Sequence, residues 1–203
     1  MKKTSMRKNA LWSAHGVATL AVLALLAPAI LPAAALADDA VAEKAQVCAA
    51  CHGEKGSPID KSIPVLWGQN EGYIYLELRD YKLGNRKNDI MNHAGLEKED
   101  MKALAAYFAQ QSWPNLQQPQ APQDVAKHAE SVANSAGCKG CHRDGYLGDS
   151  TNPRLAGQSQ TYLRDTMAAF RDGARTNNPW MAALLKTYSD SDIDALAQYL
   201  AGL

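Results

Sequence analysis

Apolar residues recur at helical spacing in matching segments of this 203-residue chain. Residues 159–172 carry Leu163, Met167 and Phe170 four and then three positions apart, and residues 70–83 form a similar segment. This spacing places apolar side chains on one face of an α-helix, and the glycine that directly follows each segment is a common helix end. The pattern therefore predicts two amphipathic helices in corresponding places of the two halves of the chain.

Two more pairs of helices flank this pair. The Ala-rich residues 39–48 and 125–138 each predict a helix. The last helix of each half has an apolar face, and Ser189 followed by Asp192 resembles a capping box at the second of these helices. These faces consist of Met101, Leu104, Ala105 and Phe108 in the first half and Ile193, Leu196, Ala197 and Leu200 in the second. The sequence has no convincing strand-like alternation, so the predicted fold class is all-α.

The chain repeats itself at a nearly constant interval, which indicates two homologous units. The segment PVLWGQ at 64–69 aligns with PRLAGQ at 153–158, and the flanking landmarks align at almost the same offset. The stretch between the units, SWPNLQQPQAPQD, contains three prolines, and this composition favours an extended, semi-rigid connector. The predicted domains are residues 38–112 and 125–203, joined by a Pro-rich linker at 113–124.

Residues 1–37 predict a secretory signal peptide. Four basic residues and no acidic residue precede an apolar run over residues 17–37, which ends in Ala-Leu-Ala before Asp38. An uncleaved membrane anchor is the alternative, because this run is long enough to span a bilayer. Pro28 and Pro32 interrupt the run and favour cleavage. We expect a mature chain that starts near Asp38 and lies outside the cytoplasm.

Removal of the leader changes the net charge of the chain. The full sequence has 21 basic and 21 acidic residues, and four of the basic residues lie in the leader, so the remainder has a net charge of −4. A nucleic-acid-binding protein typically carries a basic patch or stripe. The charge therefore argues against a nucleic-acid partner.

All four cysteines of the chain lie in two copies of Cys-x-x-Cys-His. This spacing is typical of c-type haem attachment, in which the two thiols bind the porphyrin covalently and the histidine ligates the iron. The expected haem-binding residues are Cys48, Cys51 and His52 in the first copy and Cys138, Cys141 and His142 in the second. We therefore expect two covalently bound haem c groups, one in each domain.

Other uses of closely spaced cysteines are weaker interpretations of these motifs. A thioredoxin-like redox pair would need alternating strands and helices around it. A zinc finger separates its histidines from its cysteines, whereas here each histidine directly follows a cysteine. Metal binding without haem and an ordinary disulfide within each motif stay open as minor alternatives.

The repeat also indicates which residues occupy the sixth coordination position of each iron. The interval from His52 to Met91 is identical to the interval from His142 to Met181. Both methionines lie in loop-like stretches between the second and third predicted helices of their halves, where a thioether can reach an iron. His93 is the rival ligand in the first domain. We expect Met91 and Met181 to be the distal ligands.

Two other pairs of repeated residues are candidates for contacts around the haem. Pro64 and Pro153 follow the two motif histidines at nearly equal intervals, where a proline carbonyl can accept the imidazole Nδ1–H. Arg86 and Arg175 could pair with haem propionates, and the alternative is that both are solvated surface charges.

The two CxxCH motifs, the paired PxLxGQ and GxR segments, the spaced methionines and the closing LAxY helices resemble the dihaem class I cytochromes c of the cytochrome c4 type. The resemblance covers nearly all of the sequence after the leader. It implies two class I cytochrome c domains, low-spin irons with methionine as distal ligand, a periplasmic location with occasional loose membrane association, and a monomer. One departure is Trp67, which aligns with Ala156 in the second repeat.

The resemblance implies a carrier that ferries electrons from a quinol-oxidising complex or a periplasmic dehydrogenase to a terminal oxidase or another cytochrome. A second hypothesis is a dedicated dihaem subunit of a dehydrogenase complex, such as a flavocytochrome. An enzyme in its own right, such as a dihaem peroxidase, would need an open iron or a different ligand such as an additional cysteine. The sequence offers no spare cysteine, so we expect no enzymatic activity.

Overall fold

The computed structural model describes residues 33–91 and 95–203, which form two helical halves joined by an irregular connector. The helices of the first half are α1 (Ala33–His52), α2 (Glu71–Lys82) and α3 (Lys98–Ala109). α3 packs against both α1 and α2. Among these described residues, none of the helices combines the length and hydrophobicity that crossing a membrane requires.

The second half contains five α-helices. They are α4 (Gln123–Ser135), α5 (Lys139–His142), α6 (Gln160–Arg171), α7 (Pro179–Leu185) and α8 (Asp190–Ala201). The closing helix α8 packs against α4 and α6, as α3 packs against α1 and α2 in the first half. The two halves therefore share one arrangement of three principal helices.

Each half has its own hydrophobic core. The core of the first half consists of Ala45, Ile74, Leu104, Ala105 and Phe108. The core of the second half is larger and includes Val132, Leu163, Phe170, Ile193 and Leu196 among its fully buried residues. Burial of these apolar side chains stabilises the helix packing by roughly 1.5–3 kcal/mol for each large residue.

The structure confirms most of the predicted helices. α2 and α6 lie within the predicted segments 70–83 and 159–172, and left-handed glycines follow them, with φ of 75° at Gly84 and 76° at Gly173. The predicted capping box at Ser189 is also present. Within the described ranges the only pairing of extended backbone is one isolated bridge, which agrees with the all-α prediction.

The helices that lead into the cysteine motifs differ from the prediction. α1 continues beyond the predicted segment 39–48 and includes the whole first motif. The predicted helix at 125–138 is instead interrupted, because Gly137 adopts a left-handed φ of 66° between α4 and α5. At the equivalent position in the first half, Val47 lies inside α1, where a β-branched residue disfavours such a turn.

The connector between the halves lies against the second half. The Gln118 side chain donates hydrogen bonds to the carbonyls of Gln158 at 2.9 Å and Ala201 at 3.2 Å. The side-chain oxygen of Gln118 accepts a hydrogen bond from the backbone N–H of Gln160 at 2.8 Å. These bonds hold in place a segment that forms no helix or strand between Trp113 and the start of α4.

Candidate haem sites and the interface between them

The two cysteine motifs lie on helices, each beside the core of its own half. Cys48 packs against the core of the first half, and Cys138 packs against that of the second. The thiols of all four motif cysteines are free, so no disulfide occupies either motif.

The motif histidines are buried and held by the predicted proline carbonyls. His52 Nδ1 lies 2.8 Å from the carbonyl oxygen of Pro64, and His142 Nδ1 lies 2.9 Å from that of Pro153. Because a carbonyl oxygen can only accept, Nδ1 carries the proton and Nε2 keeps its lone pair. Burial lowers the pKa of both histidines, which favours the neutral ring that a metal ligand requires.

A left-handed turn follows each motif histidine and directs the chain away from the helix. In the first half the turn is made by Gly53, with φ of 91°, where a Cβ atom would lie only 2.0 Å from the carbonyl oxygen of Ser57. In the second half Arg143 occupies this position with φ of 61°. Its guanidinium binds the Asp149 carboxylate at 2.7 Å and the Gly140 carbonyl at 3.0 Å, contacts that oppose the strain.

The two candidate distal methionines share one local arrangement. The side-chain oxygen of Asn88 accepts the backbone N–H of Met91 at 3.0 Å, and that of Asn178 accepts the N–H of Met181 at 3.1 Å. Each asparagine therefore fixes the backbone of a methionine shortly after it, as an N-cap does. Met181 also packs against the same core as Cys138.

The prediction that both methionines lie in loops is wrong for Met181. This residue lies in the first turn of α7, which begins at Pro179 after Asn178. An asparagine N-cap followed by proline at the first helical position is a known start signal, and the sequence contains it. The rival ligand His93 lies outside the described residues.

A buried ionic cluster joins the two halves. Glu77 on α2 accepts a hydrogen bond from Arg86 of its own half at 2.7 Å and another from Arg175 of the other half at 2.6 Å. Arg86 also donates to the Tyr162 hydroxyl at 3.1 Å. The side chains of Arg86 and Arg175 are only 13% and 7% exposed, so the interpretation as solvated surface charges is wrong.

Sequence reasoning missed Glu77 and the two glutamines that end the repeated PxLxGQ segments. Gln69 and Gln158 are buried, and the side chain of each one hydrogen-bonds the backbone of the other half. The signal was available for the glutamines, because an identical polar residue ends both copies. No comparable signal exists for Glu77, since the equivalent position in the second half is Thr166.

The side chains present fit covalently bound haem. Free thiols are paired with a histidine whose Nε2 has no hydrogen bond to the described residues. Arg175 Nη1 is buried without a protein partner in the described ranges, as expected of a group that binds an added carboxylate. Within the same ranges, no group of three or more histidine, cysteine and acidic side chains could hold a bare metal ion.

Comparisons with known proteins agree with this arrangement. The family model described as "Cytochrome c" matches residues 126–203. The cytochrome c4 of Pseudomonas aeruginosa is 35% identical over 91% of this chain and 98% of that protein. A thiosulfate dehydrogenase electron acceptor of Stutzerimonas stutzeri is 31% identical over 97% of this chain and 96% of that protein. The solved structure of reduced recombinant cytochrome c4 from Pseudomonas stutzeri superposes with a TM-score of 0.72 at 31% identity, covering 82% of this chain and 98% of that one.

The similarity extends over both halves, so it accounts for the duplicated motifs as well as for the helices around them. The relatives are electron carriers, and the chain accordingly has two tandem cytochrome c units with two covalently bound haem c groups and is not an enzyme. On the strength of its sequence and its fold, the chain belongs to the cytochrome c4 family of dihaem electron-transfer proteins.

Proposed function

We propose that this protein is a periplasmic carrier that moves single electrons between a respiratory donor and an acceptor through two haems with histidine and methionine ligands. The donor is a quinol-oxidising complex or a dehydrogenase, and the acceptor is a terminal oxidase or another cytochrome. One observation carries the proposal: both halves contain a histidine fixed by a proline carbonyl and, at the same interval downstream, a methionine fixed by an asparagine. A histidine and a methionine held in this way would supply both protein ligands of a bound haem iron and leave no position for a substrate.

The ligand assignments follow the repeat. The proposed thioether residues are Cys48, Cys51, Cys138 and Cys141, and the proposed axial pairs are His52 with Met91 and His142 with Met181. Bound haem supplies reversible one-electron chemistry. The role of the chain is to fix the axial side chains through backbone hydrogen bonds, so that the same two ligands serve both oxidation states.

The buried arginines are the proposed partners of the haem propionates. Arg86 and Arg175 together carry two positive charges, and Glu77 is the acid that both of them bind. The unpartnered Nη1 of Arg175 supports this assignment, because a buried guanidinium nitrogen needs an acceptor. Propionates at the cluster would bring the charged edges of both haems to the contact between the halves.

The proposed periplasmic location implies removal of the leader and sets the boundaries of the mature protein. The leader, residues 1–37, falls partly outside the described residues, and its removal would leave α1 to begin near Asp38. The proposed mature protein then consists of residues 38–112, the linker 113–124 and residues 125–203. Export of the chain is compatible with covalently bound haem, because the haem is attached after the chain has crossed the membrane.

A dedicated electron-transfer subunit of a dehydrogenase is the second candidate function. The similarity to a thiosulfate dehydrogenase electron acceptor, over 97% of this chain, favours it. The two candidates differ in one property: a subunit copurifies with its enzyme in a fixed ratio, whereas a free carrier elutes alone and is reduced by several donors.

The visible spectrum of the purified holoprotein tests the proposal. The pyridine haemochrome should give two haems per chain, and the oxidised protein should show the weak methionine-to-iron charge-transfer band at the red edge. Met91→Ala and Met181→Ala should each remove half of this band. The matched controls are Met101→Ala and Met167→Ala, which truncate buried core methionines and should leave the band intact. A band that keeps its full strength in either ligand variant would contradict the assignment for that haem.

A further inference from the structure

Two buried glutamines exchange hydrogen bonds between the halves. Gln158 accepts the backbone N–H of Val65 at 2.9 Å and donates to the Val65 carbonyl at 3.0 Å. Gln69 pairs in the same way with Arg154, at 2.7 and 3.0 Å. Only 3% of Gln69 and 2% of Gln158 are exposed, so water competes little for these bonds. The contact between the halves thus contains two equivalent amide pairs.

In the first half, this amide pair meets the peptide group that holds the motif histidine. The carbonyl of Pro64 and the N–H of Val65 belong to one peptide group. The carbonyl accepts His52 Nδ1–H at 2.8 Å, and the N–H donates to the side chain of Gln158 at 2.9 Å. A continuous chain of hydrogen bonds therefore runs from the histidine of one half to the glutamine of the other.

The second half repeats this chain in the opposite direction. The carbonyl of Pro153 accepts His142 Nδ1–H at 2.9 Å, and the N–H of Arg154, in the same peptide group, donates to Gln69 at 2.7 Å. Each histidine is thus connected through a single peptide group to a side chain of the other half. We call this arrangement the crossed relay.

Hydrogen bonds in series polarise one another. An acceptor on the peptide N–H makes the carbonyl of the same group a better acceptor for the histidine Nδ1–H. A stronger bond at Nδ1 raises the basicity of the imidazole and its donation at Nε2. Stronger donation favours the oxidised iron over the reduced iron, so the glutamine should lower the reduction potential of the haem in the opposite half.

We propose that Gln158 and Gln69 are positioning residues that tune the ligand strength of His52 and His142, respectively, across the contact between the halves. The inference rests on the proposed function, because it takes both histidines as iron ligands. Its consequence is that the potential of each haem depends on how the other half is docked. A protein partner that loosens the contact would raise both potentials at once.

The test compares Gln158→Met and Gln69→Met holoproteins, which keep side-chain length and remove the two hydrogen bonds to the other half, together with one to the next residue of the same half. NMR of the reduced protein measures solvent exchange of each histidine Nδ1–H, and redox titration followed by haem methyl resonances gives each potential. Gln158→Met should speed exchange at His52 about five-fold, equivalent to about 1 kcal/mol, and raise the potential of the first haem. Gln69→Met should do the same at His142 and the second haem. The crossed pattern is the result that a merely structural role would not give.

Gln118→Met is the matched control, because Gln118 holds the linker to the second half and contacts neither relay peptide group. It should change neither histidine. If a methionine variant fails to assemble, Gln158→Asn and Gln69→Asn withdraw the amide by one methylene and should give the same crossed pattern. Three outcomes would overturn the relay and leave the ligand assignment intact: effects confined to the variant's own half, effects of equal size in both halves, or no effect. Wild-type histidines without hyperfine shifts in the oxidised protein would overturn the ligand assignment and the relay together.

Discussion

Glu77 lies 2.6 Å from Arg175, a residue 98 positions later in the chain, and this ion pair joins the two halves. Both side chains are nearly buried, with 11% of Glu77 and 7% of Arg175 exposed. The pair is asymmetric, because Thr166 occupies the position of Glu77 in the second repeat. A single carboxylate therefore binds an arginine from each half.

Glu77→Gln should lower the free energy of unfolding of the holoprotein by about 3 kcal/mol, because it removes the buried carboxylate that binds both Arg86 and Arg175. Urea unfolding followed by far-UV circular dichroism measures the change. The control is Glu71→Gln, an exposed residue at the start of the same helix, which should cost less than about 1 kcal/mol. Equal losses in the two variants would show that the buried ion pair contributes nothing specific.

The asparagine caps should control how firmly each methionine is held. Asn178→Ala removes the acceptor for the Met181 N–H, which costs about 1 kcal/mol at a helix start. We expect imidazole to displace Met181, the proposed ligand of the second haem, about five-fold more readily, as measured by loss of the red-edge band in a titration. Asn88→Ala should act in the same way on the first haem.

Asn177→Ala is the control for the asparagine variants, because Asn177 is next to Asn178 but its amide binds Glu77 and Asp80. It should weaken the contact between the halves and leave the imidazole titration of the second haem unchanged. An unchanged titration in Asn178→Ala would mean that the cap does not restrain the ligand.

The sequence predicted the features that depend on short-range spacing. The central helices follow from apolar periodicity, and the hydrogen bonds to Pro64 and Pro153 follow from a nearly fixed interval after each histidine. The short helix at Met181 is not predicted by apolar periodicity, and its signal is the Asn-Pro pair that starts it, which also occurs in loops. Short-range features of this fold can thus be predicted from the sequence when helix-start signals are considered together with apolar periodicity.

The contact between the halves could not be predicted in this way. Gln69 and Gln158 were visible as landmarks of the repeat, but their partners are backbone groups 85 and 93 residues away. The partner of Glu77 in the other half, Arg175, lies 98 residues away, and no local pattern indicates that it faces Glu77. The left-handed conformation of Arg143 is hidden because a residue with a Cβ rarely adopts it, and the only local signal is the glycine at the equivalent position of the first repeat, Gly53.

The turn after the first motif should tolerate no side chain. Gly53→Ala places a Cβ 2.0 Å from the Ser57 carbonyl oxygen, and backbone must move to relieve the clash. Gly84→Ala is the control, since Gly84 is also left-handed but has nothing within 4 Å of the added Cβ. In urea unfolding, the control should lower the free energy of unfolding by about 1 kcal/mol. Gly53→Ala should lower it by at least about 2 kcal/mol more, and its haem content per chain should fall. Equal costs would contradict the close approach.

The capping box of α8 should make a pH-dependent contribution to stability. Ser189 N–H donates to the Asp192 carboxylate at 2.9 Å, and Asp192 N–H donates to the Ser189 hydroxyl oxygen at 3.2 Å. Hydrogen bonds from Ser189, with a smaller effect of His128, hold the pKa of Asp192 below its usual value. A carboxyl group whose pKa is lower in the folded state stabilises the fold above its unfolded pKa, about 3.9, and loses this effect as the pH falls through the folded value.

Asp192→Ala should therefore cost about 1 kcal/mol of unfolding free energy at pH 7, and the cost should shrink as the pH falls below about 4. Urea unfolding at a series of pH values from neutral to acid measures the difference from the unmodified protein. Asp190→Ala is the control, because Asp190 lies in the same first turn but binds Arg171 instead of the cap, and its removal should cost less at pH 7. A cost for Asp192→Ala that stays constant or grows as the pH falls would show that the ionised carboxylate is not what the cap requires.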